Sequence, residues 1–259
     1  MFTATLSFDR DPEVGVPPEL DPIHELLAAW YKNGQIYDHW KFAEARGALL
    51  VTLSIPERTS LSDENNNRWV EAAITKLSNS EWSAPRVTGI QADPSGTRTC
   101  GCVDGCPSLV LYVEYLESSS PLRCGECFGS LPLYRLPPTS GGEYWDLHDW
   151  AGSYGAVLEL HMGGPAESWA DAELASADSE LSLLGRKVAQ RVQDVAGVRT
   201  FYYLLQSYSE PGAERCPECD SGWRCEPAWH GRFEYRCDDC LLLADIGAID
   251  ASARSPTQA

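Results

Sequence analysis

CPECDSGWRCEPAWHGRFEYRCDDC, residues 216–240, contains two Cys-x-x-Cys pairs, Cys216/Cys219 and Cys237/Cys240, separated by 17 residues. A two-residue gap lets one tight turn aim two thiolates at one ion, and two such pairs complete a tetrahedral set of soft ligands. The separation suits a short hairpin, and RFEYRC (232–237) alternates as its return strand should. The stretch therefore predicts a zinc site of ribbon or treble-clef type on Cys216, Cys219, Cys237 and Cys240. Four thiolates leave no coordination position for water, so this zinc is expected to be structural and not catalytic. Cys225 and His230, inside the loop, are expected to be bystanders.

The chain has ten cysteines in two groups, five between 100 and 127 and five between 216 and 240. The N-terminal MFTATLSFDRDPE lacks a basic patch followed by an apolar run, so no export is expected and reduced thiols point to metal, not disulfides. The first group is CGCVDGC followed by CGEC: Cys100, Cys102 and Cys106, then Cys124 and Cys127. Cys124-x-x-Cys127 reads as a knuckle for a second zinc. Its partners are predicted to be Cys100 and Cys102, with Cys106 as the alternative. Two structural zinc ions are thus expected, each anchoring a segment whose own core is small.

At 259 residues, 43% hydrophobic and 22% charged, the chain can bury a real core, and no apolar run is long enough for a membrane helix. A cytoplasmic protein is expected. MFTATLSFD opens the fold as a strand. Residues 22–31 predict a helix with Asp21 as N-cap, Pro22 in its first turn and Gly34 as its stop. GALLVTLSI (47–55) predicts a strand, and a second helix is expected from about Ser62, burying Val70, Ala73, Ile74 and Leu77. Further on, 108–117 reads as a strand and 131–138 as an extended segment between prolines. Residues 178–196 predict a helix burying Leu181, Leu184, Val188, Val192 and Val195, with Gly197 as C-cap, and 198–208 a strand. The fold class is α+β. Its parts are an N-terminal α/β region (1–95), a central α+β region carrying the first cysteine group (96–210), the C-terminal ribbon (211–246) and a disordered tail (247–259).

EYWDLHDW (143–150) brings Asp146, His148 and Asp149 close in sequence, and His161 follows an expected strand. These polar residues are expected to border elements whose Tyr144, Trp145 and Trp150 pack inward. With no phosphate loop, dinucleotide fingerprint or Gly-x-Ser-x-Gly elbow in the sequence, no enzyme is expected. Net charge is −18, from 38 acidic and 20 basic residues, which opposes a phosphate backbone and suits a basic protein partner. The densest basic stretch, Arg186, Lys187 and Arg191, shares its helix with Glu180 and Asp194. Residues 211–240 hold seven acidic against four basic residues, and a tetrathiolate zinc adds a charge of about −2. Trp223, Trp229, Phe233 and Tyr235 could stack bases, but without a basic groove they are expected to pack the ribbon onto its neighbour.

Three stretches, PLRCGECFGSLPLYRLP (121–137), SELSLLGRKVAQRVQDVAGVRTFYYL (179–204) and CPECDSGW…FEYRCDDCLLLADI (216–246), together resemble a bacterial family of zinc-ribbon proteins, domain of unknown function DUF2310. For that family nucleic-acid binding is a suggestion and not an established activity. The resemblance covers roughly residues 100–246. It implies a cytoplasmic protein with zinc at Cys216, Cys219, Cys237 and Cys240 and a metal role for Cys124 and Cys127; Cys106 and Cys225 depart from the pattern. The function expected is a non-catalytic zinc-binding interaction protein, with nucleic acid as the partner the family suggests. The alternative is an acidic, immunity-like protein that neutralises a basic partner.

Overall fold

A computed structural model describes residues 1–10, 19–45, 47–102, 105–205 and 214–245. They divide into two units. The first comprises residues 1–101, 116–120 and 129–145, and the second residues 102–115, 121–128 and 146 onward. The expected tail, 247–259, lies outside the described residues.

The first unit is built from β1 (Phe2–Asp9), α1 (Asp21–Lys32), β2 (Lys41–Ala45), β3 (Ala48–Ile55), α2 (Arg68–Ser78) and β4 (Arg86–Ala92). Its sheet runs β2-β3-β1-β4 with every neighbouring pair antiparallel. That is a split βαβ arrangement, repeated as βαββαβ. Period-two alternation buries Ala4, Leu6 and Phe8 of β1 and Leu49, Val51, Leu53 and Ile55 of β3 against one side of the core. Ile23, Leu26, Leu27 and Trp30 of α1 close it, with Val70, Ala73 and Leu77 of α2.

Two helix starts differ from expectation. Asp21 is not the cap of α1: Leu20 precedes the helix in helical backbone, without a side-chain hydrogen bond, and Asp21 is the first helical residue. Near Ser62 the chain makes only a single 3₁₀ turn, Asp63–Asn65. Asn67 then caps α2, its extended backbone letting the side-chain oxygen accept from the N–H groups of Trp69 and Val70 at 3.0 Å each. The cap, not the acidic pair before it, sets the start. Segment 131–138 is likewise not simply extended, because Leu133–Arg135 forms a 3₁₀ turn.

The second unit comprises β5 (Ser108–Leu111), β6 (Leu122–Cys124), α3 (Trp145–Gly163, from Asp146 on), α4 (Glu167–Ala175), α5 (Glu180–Ala196), β7 (Arg199–Leu204), β8 (Arg224–Trp229), β9 (Phe233–Cys237) and β10 (Leu242–Ala244). Its sheet order is β6-β5-β7-β10-β9-β8, in which β5, β7 and β10 run parallel and the other pairs antiparallel. Parallel neighbours need a crossover, and α3–α5 supply the one from β5 to β7. The strand expected over 108–117 ends at Leu111; beyond it Tyr112 Nα donates to the carbonyl of Pro121 and Leu116 is left-handed, at φ 62°. The strand expected over 198–208 is β7, with 206–208 outside the described residues.

His161 lies in the last turn of a helix and does not follow a strand. Residues Trp145–Gly163 form 19 residues of helix burying Leu147, Trp150, Tyr154, Val157, Leu158 and His161, a spacing of three and four. Tyr144 and Trp150 do pack inward, but Trp145 is 40% exposed. On α5, Ser179 caps the start through Ser182 Nα and Gly197 is left-handed at the end. The buried face is Leu181, Ser182, Gly185, Val188, Ala189 and Val192, so Leu184 is turned outward. Gly185 explains the rotation. A Cβ there would stand 2.2 Å from Tyr202 Cε2 and 2.5 Å from Trp150 Nε1. The helix approaches β7 and α3 through its thinnest residue. Gly185→Ala, although the better helix former, is expected to lower stability by about 1–3 kcal/mol through overpacking. An unfolding midpoint at or above that of the wild type in denaturant titration would show that this contact is not close.

Candidate metal centres

Each Cys-x-x-Cys pair folds into the same turn. The residue after the second cysteine is left-handed in all three, with φ of 53° at Phe128, 57° at Asp220 and 55° at Leu241. Phe128 Nα donates to the Cys124 carbonyl at 2.8 Å, and Asp220 Nα to that of Cys216 at 2.9 Å. Glycine usually fills such positions; here three side-chain-bearing residues adopt a conformation that costs each of order 1–2 kcal/mol. Inside the turns backbone amides face sulfur: Glu126 Nα stands 3.4 Å from Cys124 Sγ and Cys240 Nα 3.4 Å from Cys237 Sγ. These donors favour thiolate over thiol.

In the C-terminal centre the Cys237 turn joins β9 to β10, and the Cys216 turn precedes β8. The four sulfurs of Cys216, Cys219, Cys237 and Cys240 lie within 4.8 Å of one another, and Cys219 and Cys237 Sγ are 3.6 Å apart. With metal–sulfur bonds of about 2.3 Å, a tetrahedral cage sets its sulfurs about 3.8 Å apart. A disulfide needs about 2.05 Å. The donors therefore fit a tetrahedral ion. Cys216 and Cys237 are buried and Cys219 is exposed. The Ser221 hydroxyl, 3.0 Å away, pulls the Cys219 thiol down to about 6, whereas burial pushes Cys216 and Cys240 up. Ligand thiols must be deprotonated to bind, so metal uptake releases protons.

The first centre gathers Cys100, Cys102, Cys124 and Cys127, also within 4.8 Å, with Cys102 and Cys124 Sγ 3.8 Å apart. Cys106, the alternative ligand, is not among these four. Cys124 closes β6, opposite Leu109 of β5. Gly125 fits because its N–H donates to the Ser108 carbonyl at 2.7 Å, where a Cβ would stand 2.8 Å from that oxygen. Gly129 passes Cys100 equally closely, and Cys100 Nα donates to the Ser130 carbonyl at 2.8 Å.

Neither bystander enters a sulfur cluster. Cys225 Sγ donates to the Phe233 carbonyl at 3.0 Å, and His230 Nε2 stands 3.0 Å from the Gly125 carbonyl oxygen. Among the weaker candidates, Asp146 is almost covered and paired with Arg191 at 3.2 Å, and His161 Nδ1 is 2.5 Å from Asp171 of α4. The structure also assembles a cluster with no sequence signature. Arg232 donates to Glu114 at 3.0 Å, Tyr112 to Glu114 at 2.6 Å and Tyr203 to Asp245 at 2.8 Å. Burial raises the Asp245 carboxyl. Burial also acts against ionisation of Glu114, but Arg232 and Tyr112 hold it below its ordinary value. These residues come from four separate segments, so spacing could not reveal them.

Comparison with known proteins covers most of the chain. Residues 105–205 match the family described as domain of unknown function DUF2310, residues 1–91 match DUF8589 and residues 206–248 match DUF8594, both likewise described as domains of unknown function. An uncharacterized protein of Haemophilus influenzae is 30% identical over 235 residues, covering 86% of this chain and 89% of the relative. A second uncharacterized protein from the same strain is 33% identical over 142 residues, 53% of this chain and 70% of its own. No solved structure matches.

The left-handed turns make a direct test. Asp220→Gly should leave metal content and stability close to wild type, since glycine adopts φ 57° without strain. Asp220→Val, β-branched and poorly suited to that region, should cost about 1–3 kcal/mol and loosen the C-terminal centre. Chelator-release kinetics on the two variants separate the outcomes; equal release from both would mean the turn is not strained.

Proposed function

The chain belongs to the DUF2310 family, and we propose that it is a non-catalytic binding protein scaffolded by two structural zinc ions, with a basic protein as its partner. The carrying observation is the pair of four-sulfur cages, whose spacing matches tetrahedral zinc–thiolate geometry. Four protein ligands on each ion leave no position for substrate or activated water. In this reading Cys216, Cys219, Cys237 and Cys240 hold one zinc and Cys100, Cys102, Cys124 and Cys127 the other. The ions supply cross-links, not chemistry.

The choice of a protein over nucleic acid rests on charge and on the aromatic residues. Against a net charge of −18, three arginines near the C-terminal centre are engaged by acids: Arg186 by Glu218, and Arg199 and Arg236 both by Asp238. Arg191, the remaining arginine of the basic stretch on α5, pairs with Asp146. Counterion release needs basic groups facing phosphate, and these face carboxylates. Trp223, Phe233 and Tyr235 are buried, and Trp229 packs on Phe201 at 5.5 Å between ring centres. Their faces are occupied by the protein itself. In the aromatic–acidic stretch 143–150 Tyr144 and Trp150 are buried and Asp146 is almost covered, which leaves Trp145 and Asp149 exposed.

Two measurements test the proposal. Elemental analysis should find about two zinc ions per chain, and Cys237→Ala should lose one together with protease resistance of the hairpin. Labelled duplex and single-stranded probes should bind no tighter than the micromolar non-specific range at physiological salt. Partner association, in contrast, should be fast at low salt and slow steeply as ionic strength rises. Submicromolar probe binding with a steep salt slope would transfer the function to nucleic acid.

A further inference from the structure

His230 lies in the turn between β8 and β9 of the C-terminal hairpin, yet its Nε2 reaches the carbonyl of Gly125, which sits inside the Cys124–Cys127 turn of the other centre. A carbonyl oxygen can only accept, so Nε2 carries the proton. We infer that His230 is a positioning residue for the first thiolate centre, delivered by the hairpin that the C-terminal centre holds, and that the two centres therefore load metal cooperatively. The inference rests on the metal reading above and adds a coupling between its two ions.

Several contacts converge on this junction. His230 is itself left-handed, at φ 56°, and is followed by left-handed Gly231 at 65°. Its ring packs against Trp229 at 4.6 Å and against Phe128 at 5.3 Å. Phe128 is the left-handed residue that closes the Cys124–Cys127 turn, and its ring also meets Phe233 of β9 at 5.3 Å and Tyr112 at 5.4 Å. Arg232, two residues beyond His230, pairs with Glu114. The hairpin turn thus grips the first knuckle at its backbone, at its closing aromatic and through an ion pair beside it.

The outer part of the hairpin has few means of holding this position by itself. β8 is the edge strand of the sheet, paired on one side with β9, and its register there is interrupted between Arg224 and Trp229. Cysteine turns tie the chain on both sides, at Cys216–Cys219 before β8 and Cys237–Cys240 after β9. β9 stays paired with β10, but releasing the C-terminal ion frees the chain entering β8 and so loosens the turn that carries the donor on Gly125. By linkage the effect is reciprocal: an ordered first knuckle fixes His230 and favours the C-terminal cage.

The test uses the full chain, stripped of metal and titrated with Co²⁺, whose thiolate complexes are coloured, with Zn²⁺ competition for affinity. Wild type should take up two ions with positive cooperativity. In Cys237→Ser the first centre should bind about tenfold more weakly, a typical allosteric coupling. His230→Ala, with all eight ligands intact, should weaken the first centre by a similar factor, and His230→Gln, which keeps an N–H donor, should recover part of it. Adding His230→Ala to Cys237→Ser should cause little further loss, because the contact is already gone. Unchanged first-centre affinity in both Cys237→Ser and His230→Ala overturns the coupling and leaves two independent metal sites. Failure of wild type to bind two ions overturns the metal reading itself, and the coupling with it.

Discussion

A chain turning back on itself between two cysteines must aim both sulfurs at one point, and the second unit is organised around that requirement. Each of its three Cys-x-x-Cys turns sends the following residue into left-handed backbone, which aligns the thiols and redirects the chain. After Cys124 the turn lets β6 end against β5; after Cys237 it converts the descending β9 into β10, laid parallel to β7. β6 and β10 have three residues each. Both are buried within the six-stranded sheet, and the four-sulfur groups beside them could hold ions that cross-link the turns.

The same arrangement makes sense of the charge. The acidic excess is not spread evenly against the basic residues, because several arginines are drawn to carboxylates around the C-terminal cage. Burial opposes ionisation of Asp238, yet Arg236 and Arg199 hold its carboxyl below the ordinary value. Exposed pairs of this kind contribute little to stability. Their consequence is electrostatic: they cancel positive groups that a polyanion would need, which is why the proposed partner is basic.

The first unit solves a different problem with ordinary means. Its apolar residues alternate along β1 and β3 and recur at helical spacing along α1 and α2, so sheet and helices bury one shared core. This part was largely legible from composition and period, because each element carries its own pattern. Helix starts were less so. Asn67 caps α2 through two backbone donors, and no local rule distinguishes it in advance from the acidic turn just before it. The strand expected before His161 is helix α3, whose buried residues recur at spacings of three and four. The orientation of α5 depended on Gly185, whose role appears only when Trp150 and Tyr202 are placed beside it.

By itself the sequence determined that eight cysteines could pair as two sets of four, since spacing within a turn is a local property and two-residue gaps present thiols in one direction. It also determined the α+β character and the acidic surface. Only the tertiary structure decided that Cys100 and Cys102, not Cys106, stand with Cys124 and Cys127, because that choice depends on where the chain re-enters beside the knuckle. Only the tertiary structure placed His230 on Gly125, across 105 residues of sequence, and joined Arg232 to Glu114. Contacts of that kind arise from how strands are ordered in a sheet, and strand order is a property of the whole chain that no single stretch contains.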